Sequence, residues 1–286
     1  LKSVEGSAAK AMPGIVDVVS FKNNVAVVGK STWEVMKARE ALHVAYEKEA
    51  ELESSADHDR IFKELMKSGE AQVKRKDGDT AAAFATANKI VEAEYQCPFL
   101  SHAPMEPMNF FADVRPDKVE LIGPVQTPQS ARDQVAKLLG IPPENISLEM
   151  MRIGGGFGRR LRPDYAVETA ELSSIIKAPV KVMWTREDDM TGGIYRPAAR
   201  YRFRAALDKA GNITAFELRG VGINSGNPVR ENNFPAGAIP NVLIESVDHK
   251  SPITTGPWRA PITNFLAGAE QSFFDEVAEA AGKDPV

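Results

Sequence analysis

The sequence predicts an α+β fold in which strands and helices are mixed along one chain. Two observations support this class: β-branched runs that occur in hairpin-like pairs, and separate amphipathic stretches with helical periodicity. The 286 residues are 43% hydrophobic and 26% charged, an ordinary globular composition that can bury one large core or two smaller ones. We find no internal repeat and no low-complexity tract.

The N-terminal segment is predicted to begin with a hairpin and a helix. Ile15–Phe21 and Val25–Gly29 are β-branched runs on either side of an Asn-Asn pair, which is typical of a hairpin turn. Ser31 and Glu34 have the spacing of a capping box, so a helix should follow and end near Ala41.

A domain boundary is predicted after this segment. A strand-like run, His43–Glu47, precedes a charged stretch, and Ala56–Ser68 has the pattern of a short amphipathic helix. Gln72–Asp79 is a polar connection without periodicity, and we place the boundary there. The chain is therefore divided into residues 1–78 and residues 79–286.

A proline-fixed loop joins two further predicted strands, Ala87–Tyr95 and Met108–Val114. The loop, residues 98–107, contains three prolines, and a loop so constrained and apolar is seldom a mere connection. Its carboxylate, Glu106, either serves a site or is a structural acid paired with a base, and the sequence leaves both possibilities open. Another strand is predicted at Lys118–Ile122.

Gln126 lies in the turn directly before a predicted helix. Thr127 and Pro128 are residue types of an N-cap and a first helical position, and Gly140 with Pro142 should end the helix. The amide of Gln126 is thereby able to point into a pocket, although a surface glutamine without a role is the more common situation.

A glycine-rich loop, Gly154–Gly158, lies between a predicted strand at Ile146–Ile153 and a helix over Asp164–Ile176. Its four glycines allow a ligand to approach the main chain, and N–H groups at such a turn suit phosphate or another electron-rich ligand. A tight turn packed against a neighbouring strand is the alternative. The spacing matches neither the dinucleotide fingerprint nor the P-loop, so a nucleotide-phosphate site is a third and weaker hypothesis.

The second half of the chain is predicted to carry a strand at Val180–Trp184, a polar turn at Arg186–Gly193 and a long hairpin. The hairpin pairs Arg200–Leu207 with Ile213–Val221, and its arginine stripe is predicted to be a solvated or ion-paired sheet face. Gly222–Pro240 is too long for a plain connection and is expected to line a site.

Trp258 and Arg259 lie between two prolines, after a predicted strand at Ile244–His249. Arg259 offers a rigid donor fork for a phosphate or oxo group, or it is a capping arginine stacked on Trp258. The last element predicted is an amphipathic helix at Phe265–Ala281.

Residue counts exclude several kinds of site. The single cysteine, Cys97, excludes an internal disulfide and a multi-cysteine iron–sulfur site within this chain, and four scattered histidines disfavour zinc. The formal net charge of −4 gives no basic footprint for nucleic acid. No apolar run is long enough to span a bilayer.

Taken together, the loops resemble those of the large, molybdenum-cofactor-binding subunit of the xanthine dehydrogenase and aldehyde oxidase family, with the β subunit of isoquinoline 1-oxidoreductases as the nearest branch. The motifs that carry the resemblance are His102–Asn109, Gln126–Gln129, Gly154–Arg160, Glu231–Gly237, Gly256–Pro261, Phe273–Val277 and Gly282–Pro285. The resemblance implies that residues 1–78 are part of a small α/β hammerhead domain with a linker. Residues 79–286 would be the first molybdenum-cofactor-binding domain, with a mixed α/β fold.

The resemblance also implies roles for particular residues. Gln126 matches the glutamine whose amide faces an oxo ligand of molybdenum, and Arg259 matches the arginine of a turn beside the metal. The loop whose main chain contacts the cofactor corresponds to Gly155, Gly156, Phe157 and Gly158. The cofactor implied is a molybdenum–pterin, either in its plain form or as molybdopterin cytosine dinucleotide.

Two further positions bear on the substrate. Arg230 matches a substrate-facing arginine, and Leu161 stands where purine-oxidising members have a glutamate. This departure favours N-heteroaromatics or aldehydes, which would be hydroxylated with water as the oxygen source. Electrons would leave through 2Fe–2S clusters. Because this chain has a single cysteine and cannot bind such clusters, they would lie on a small iron–sulfur partner subunit.

The sequence lacks two parts of such a subunit. The family's catalytic glutamate, in a Gly-x-Gly-Glu motif, and the second cofactor-binding domain have no counterpart after Arg259. We therefore expect a fragment that shows no turnover alone, and we leave a periplasmic or cytoplasmic location open. A non-catalytic binding module that retains the fold is the alternative.

Overall fold

The computed structural model describes residues 1–68, 70–232 and 237–286. Helices and strands are mixed along these residues, so the predicted α+β class is confirmed. Asn233, Phe234, Pro235 and Ala236, which belong to the Glu231–Gly237 motif, lie outside the described residues.

The strands are numbered in chain order. They are β1 (Ser3–Glu5), β2 (Ile15–Phe21), β3 (Asn24–Gly29), β4 (His43–Ala45), β5 (Gln72–Asp77), β6 (Lys89–Cys97), β7 (Leu100–Ser101), β8 (Asn109–Val114), β9 (Val119–Gly123), β10 (Ile146–Met150), β11 (Val180–Met183), β12 (Tyr195–Arg196), β13 (Ala199–Leu207), β14 (Ile213–Ile223) and β15 (Asn241–His249). The helices are α1 (Ser7–Lys10), α2 (Thr32–Arg39), α3 (Ser55–Ser68), α4 (Thr80–Ala85), α5 (Pro128–Leu139), α6 (Asp164–Ile176), α7 (Arg186–Thr191) and α8 (Thr263–Ala281).

The larger sheet of the described chain has the strand order β5–β15–β14–β13–β6. Strand β13 is antiparallel to β14 and β6, whereas β14 and β15 run parallel. Helix α8 packs on this sheet, and Phe273 stacks on Phe203 with ring centroids 5.2 Å apart. Both rings are fully buried, so this contact lies at the centre of the core between sheet and helix.

The arginine stripe of β13, predicted to be a solvated or ion-paired sheet face, forms ion pairs through Arg200 and Arg204. Arg200 contacts Glu94 of β6 at 2.9 Å, and Arg204 contacts Glu92 at 3.1 Å. Because β6 and β13 are antiparallel neighbours, Arg204 lies directly opposite Glu92, whereas Arg200 reaches Glu94 along the diagonal.

A second sheet, of order β10–β9–β8–β11, positions the candidate site. Strands β9 and β10 are parallel, so the chain between them must cross over, and helix α5 forms that crossover. Parallel neighbours end at the same edge of a sheet. The segment after β9, with Gln126, and the segment after β10, with the glycine loop, therefore start side by side.

The core of this second sheet lies between its strands and helices α5 and α6. Its fully buried members include Met108, Phe110, Leu121, Val135 and Tyr165. Burying aromatic and aliphatic side chains of this size stabilises the fold by roughly 1.5–3 kcal/mol each.

Several segments differ from the sequence prediction, among them helix α7, strand β5 and helix α4. The predicted polar turn after Trp184 forms helix α7, because Thr185 and Asp188 cap its first turn reciprocally. The predicted polar connection at 72–79 includes β5, which pairs with β15 as an edge strand of the large sheet. Helix α4 was not predicted; the side chain of Asp79 caps its first turn. The division of the chain at residue 78 stays a prediction.

The N-terminal hairpin docks on the second sheet through helix α6. Lys22, at the hairpin turn, pairs with Glu171 of α6 at 2.7 Å. Nearby, Arg39 at the end of α2 pairs with Asp188 of α7. No helix formed by the described residues has the length and apolar character needed to cross a membrane.

Candidate functional site

Gln126 is anchored to the glycine loop by its side chain. Its Oε1 accepts a hydrogen bond from the main-chain N–H of Gly158 at 3.2 Å, and its own N–H donates to the carbonyl of Arg160 at 3.1 Å. Since the N–H of Gly158 requires an acceptor, the amide oxygen of Gln126 faces it, and the amide nitrogen of Gln126 takes no part in this contact. This Nε2 has no acceptor among the described residues.

Glycine is required where the turns approach each other. Gly158 has a φ of +105°, and a Cβ there would overlap the carbonyl oxygen of Pro257. A Cβ on Gly156 would come within 2.6 Å of Oε1 of Gln126. The glycines therefore allow three chain segments to share one small volume.

Phe157 connects the glycine loop to the third turn. Its carbonyl accepts a hydrogen bond from the main-chain N–H of Arg259 at 2.8 Å. Phe157 has a φ of +54°, an unusual conformation for an aromatic residue and one that is often found at functional sites. The turns that contain Gln126, Phe157 and Arg259 therefore meet, in agreement with the resemblance, which implies that all three lie near one cofactor.

Several donors at this meeting point are unused. The main-chain N–H groups of Gly155, Gly156 and Phe157 have no acceptor in the part of the chain that the structure describes, and neither has the exposed guanidinium of Arg259. Together with Nε2 of Gln126, these donors belong to three turns that hydrogen bonds join to one another. Such an arrangement binds an electron-rich ligand without further preparation. We refer to these groups as the donor junction.

Arg160 holds the donor junction from behind. Its side chain is fully buried and donates to the carbonyls of Gly155 at 2.9 Å, Pro124 at 3.3 Å and Glu106 at 2.9 Å. It also pairs with the carboxylate of Glu106 at 3.0 Å. One guanidinium thus ties together the glycine loop, the segment before Gln126 and the proline-fixed loop.

The sequence left open whether Glu106 serves a site or is a structural acid paired with a base. The structure shows the paired acid. Besides Arg160, its carboxylate accepts hydrogen bonds from the N–H of Gly154 and from the amide of Asn109, both at 2.9 Å. The preceding arginine, Arg159, is also buried and pairs in bidentate fashion with Asp164, both bonds being 2.8 Å long.

Trp258 is packed by residues other than Arg259. The ring of His102 lies 4.4 Å from its ring, and the guanidinium of Arg196 lies 5.7 Å from it. The described contacts of Trp258 therefore do not include the stacked Arg259 considered from the sequence. His102 is buried between the carbonyls of Ile194 and Pro257, and this burial lowers its pKa.

Leu161 and Arg230 each hydrogen bond with a residue that follows one of the joined turns, Thr127 after Gln126 and Pro261 after Arg259. Leu161 is 38% exposed, and its carbonyl accepts a hydrogen bond from the hydroxyl of Thr127 at 2.9 Å. Arg230 donates to the carbonyl of Pro261, two residues beyond Arg259, at 2.6 Å.

Sequence reasoning missed the structural importance of His102, Arg160 and Arg196. His102 and Arg160 stand inside motifs that the sequence singled out, and a charged residue within a glycine-rich segment was the available signal for Arg160. Among the described residues there is no cluster of three or more His, Cys, Asp or Glu side chains that could hold a metal ion directly.

Comparison with known proteins identifies a family. Residues 62–233 match the molybdopterin cofactor-binding domain. Isoquinoline 1-oxidoreductase subunit beta from Brevundimonas diminuta is 34% identical over 224 residues, which are 74% of this chain and 29% of that protein. The aldehyde oxidoreductase molybdenum-binding subunit PaoC from Escherichia coli K12 is 31% identical over 219 residues, which are 73% of this chain and 29% of PaoC.

A solved structure has the same fold. The aldehyde oxidoreductase from Desulfovibrio desulfuricans superposes with a TM-score of 0.76, covering 99% of this chain and 37% of that chain at 18% identity. The chain spans about three tenths of the length of the two curated relatives named above, each of which it covers to 29%. Since the family match extends over more than half of its residues, the chain belongs to the molybdopterin cofactor-binding domains of the xanthine dehydrogenase and aldehyde oxidase family.

Proposed function

We propose that this chain forms part of the cofactor site of a molybdenum-dependent oxidoreductase subunit that hydroxylates N-heteroaromatics or oxidises aldehydes. The observation that carries the proposal is the donor junction, in which the side chain of Gln126 accepts from the N–H of Gly158 and the main-chain N–H of Arg259 donates to the carbonyl of Phe157. The relatives named for isoquinoline and aldehyde oxidation support the two substrate classes.

The residues present fit an electron-rich cofactor. The donors proposed to hold it are Nε2 of Gln126, the N–H groups of Gly155, Gly156, Phe157 and Gly158 of the glycine loop, and the guanidinium of Arg259. Of these, the N–H of Gly158 is already used to orient the glutamine. Because a Cβ on Gly156 would approach that amide to 2.6 Å, glycine at this position keeps the amide accessible.

The chemistry supplied by the cofactor when bound is activation of water and uptake of the substrate's electrons. The residues of this chain hold the cofactor and orient it. Nε2 of Gln126 donates to an oxygen acceptor of the ligand, and the glycine-loop N–H groups stabilise negative charge near them. Because hydrogen bonds join the three turns in advance, the donors need little reorganisation when the ligand arrives.

The substrate side is assigned to Leu161 and Arg230. An apolar side chain at Leu161 offers no hydrogen bond to a purine, which supports apolar heteroaromatics or aldehydes as substrates. Arg230 is held by the carbonyl of Pro261, so it is positioned relative to the turn of Arg259.

The catalytic base and the electron acceptor are assigned to parts of the enzyme outside this chain. We propose that the catalytic base is a glutamate of a longer subunit and that 2Fe–2S clusters of a small iron–sulfur partner take the electrons. The pterin is either the plain form or molybdopterin cytosine dinucleotide.

Metal analysis of the full-length subunit tests the proposal. We expect stoichiometric molybdenum in the purified protein and loss of most of it in Gly158→Ala, because the added Cβ would overlap the carbonyl oxygen of Pro257. Gln126→Ala is a milder variant that removes the anchored amide. Gly268→Ala is the matched control, since a Cβ there meets no atom within 4 Å. Circular dichroism verifies that each variant is folded.

Three results would contradict the proposal. A folded full-length protein without molybdenum would favour the non-catalytic module, and stabilisation of that protein by nucleotides would revive the nucleotide-phosphate hypothesis. Unchanged molybdenum content in both Gly158→Ala and Gln126→Ala would show that the donor junction does not hold the cofactor.

A further inference from the structure

The carbonyl of Pro257 lies where the turn of Arg259 packs against the glycine loop. A Cβ on Gly158 would overlap this oxygen, so the two segments are in direct contact there. Two residues further along the turn, the main-chain N–H of Arg259 donates to the carbonyl of Phe157 at 2.8 Å. The position of the Pro257 carbonyl therefore affects how the turn presents Arg259 to the donor junction.

One side chain holds this carbonyl. Nε2 of His102 lies 2.8 Å from the oxygen of Pro257, and no other group in the described parts of the chain donates to that oxygen. The same imidazole ring packs against the ring of Trp258, with centroids 4.4 Å apart and an angle of 32° between the planes. His102 therefore contacts two successive residues of the turn, one through a hydrogen bond and one through a ring contact.

The opposite edge of the imidazole faces a second carbonyl. Nδ1 of His102 lies 3.2 Å from the oxygen of Ile194, and the histidine is only 7% exposed. A neutral imidazole has one N–H group and can donate to only one of the two carbonyls, whereas an imidazolium could donate to both. The protonation state of the ring therefore decides which carbonyl receives a donor.

Burial selects the neutral ring. Desolvation is the largest influence on His102 and lowers its pKa, although the two carbonyls act in the opposite direction. Of the charged groups around the ring, Arg159 lowers this pKa further and Asp189 raises it. The guanidinium of Arg196 lies on the far partner of the ring contact, 5.7 Å from the ring of Trp258. At neutral pH the imidazole is therefore uncharged and has a single N–H group.

The two distances identify the nitrogen that carries the proton. The 2.8 Å contact with Pro257 has the length of a normal N–H···O hydrogen bond, whereas the 3.2 Å contact with Ile194 is at the upper limit. The segment of Ile194 is also held independently, since the main-chain N–H of Tyr195 donates to the carbonyl of Thr254 at 3.0 Å. The proton is therefore on Nε2, and Pro257 is the residue that depends on it.

The backbone beside His102 is strained. Ala103 has a φ of +42°, in the left-handed region that is costly for a residue with a Cβ. Such a conformation persists only where the surrounding contacts hold it, and it is common at functional sites. Here it accompanies a ring that is fixed between two carbonyls.

We propose that His102 is the positioning residue of the Arg259 turn, which it holds against the glycine loop by donating from Nε2–H to the carbonyl of Pro257. The proposal rests on the proposed function, because this turn carries one of the proposed cofactor donors. It goes beyond that function by assigning a task and a tautomer to a residue outside the donor junction.

Two variants distinguish the two ring nitrogens. The amide nitrogen of glutamine reaches about as far along the side chain as Nε2 of histidine, and that of asparagine about as far as Nδ1. His102→Gln should therefore keep the donor to Pro257 and His102→Asn should lose it, although both variants lose the ring contact with Trp258. Hydrogen–deuterium exchange at the main-chain amide of Arg259 in the full-length subunit, measured by mass spectrometry, reports the difference.

We expect exchange at Arg259 to become at least about tenfold faster in His102→Asn and to change by less than about threefold in His102→Gln. His43→Gln, which alters an exposed histidine of β4, is the matched control and should leave this amide unchanged. A second measurement needs no variant: the ¹⁵N chemical shifts of the His102 ring in the wild-type subunit should be those of a neutral imidazole protonated on Nε2.

Equal exchange at Arg259 in His102→Asn and His102→Gln would overturn the proposal. A wild-type ring protonated on Nδ1, or on both nitrogens near neutral pH, would also overturn it, and this spectrum decides if both variants fail to fold. The outcomes are distinguishable from those of the proposed function. Full-length protein that lacks molybdenum but shows the expected ring and exchange contradicts only the proposed function, whereas stoichiometric molybdenum with equal exchange in the two variants contradicts only the positioning role.

Discussion

Arg160 shows how much of the donor junction depends on one side chain. Its guanidinium is completely buried, and it donates to three carbonyls that belong to three different loops. A buried charge is tolerated only when it is paired and its hydrogen bonds are satisfied, and Glu106 supplies the opposite charge. The same contacts that satisfy the arginine therefore fix the loops that carry the candidate site.

Removal of this side chain should destabilise the fold strongly. In Arg160→Gln the carboxylate of Glu106 loses its buried partner and several carbonyls lose their donor. We expect the free energy of unfolding to fall by roughly 2–4 kcal/mol, because buried carbonyls lose a charged donor while Glu106 keeps partial exposure and two other donors. Urea denaturation measures the change.

An exposed arginine in the same segment provides the control. Arg152→Gln, at a position without a hydrogen-bond partner among the described residues, should change the free energy of unfolding by no more than about 0.5 kcal/mol. A loss below about 1 kcal/mol in Arg160→Gln would mean that Arg160 does not hold the loops.

At the scale of elements, the β9–α5–β10 unit explains why the candidate site is where it is. Because β9 and β10 are parallel, the segments that follow them begin at one edge of the sheet. The sequence predicted that each segment lies between a strand and a helix, but it did not predict the parallel pairing of the two strands. Gln126 and the glycine loop could therefore be assigned to turns before the structure was known.

Other features could not be predicted because their contacts are distant in sequence. Arg160 contacts Pro124 and Glu106, which lie 36 and 54 residues away, and no local pattern marks such partners. The charged residues of helix α7 show no helical periodicity, so the sequence predicts a turn there. The capping box of Thr185 and Asp188 stabilises a helix instead. The role of each site residue toward a cofactor stays a prediction.

Helix α6 carries an acid whose titration should be visible in the stability of the protein. Burial, aided by the negative charge of Asp164, raises the pKa of Glu168 from 4.5 to about 7. Trp184 and Asn24, the latter in the N-terminal hairpin, both hydrogen bond to this side chain. The protonated acid is thus favoured where the hairpin meets the helix.

The sign of the pH effect follows from this shift. Between pH 4.5 and about 7 the folded state retains a proton that the unfolded state has lost, so stability falls as the pH rises through this window. Glu168→Gln removes the titration. We expect wild type and variant to be equally stable near the lower pH, and the variant to be more stable by roughly 1–3 kcal/mol at the upper end.

Denaturant unfolding of both proteins at the two pH values measures this effect. Glu149→Gln, which changes an exposed carboxylate at the end of β10, serves as the control and should show no such dependence. A difference between wild type and Glu168→Gln that is the same at both pH values would contradict the shift.

At the scale of the whole molecule, one sheet contributes most of the aromatic core and the other positions the turns of the candidate site. The five-stranded sheet and α8 bury the larger aromatic core, and the four-stranded sheet presents the turns of Gln126 and the glycine loop. The turn of Arg259 comes from the segment between β15 and α8, so it reaches the donor junction from the larger sheet. The junction is therefore built from both sheets, and its geometry depends on how they pack.

An experimental structure of the molybdenum-loaded full-length subunit tests the central claim most directly. We expect Nε2 of Gln126 and at least one N–H group of Gly155–Phe157 to lie within about 3.2 Å of acceptor atoms of a single cofactor, with Arg259 beside it. A cofactor bound elsewhere, with these donors facing solvent, would contradict the claim that three joined turns hold one molybdenum-bearing ligand.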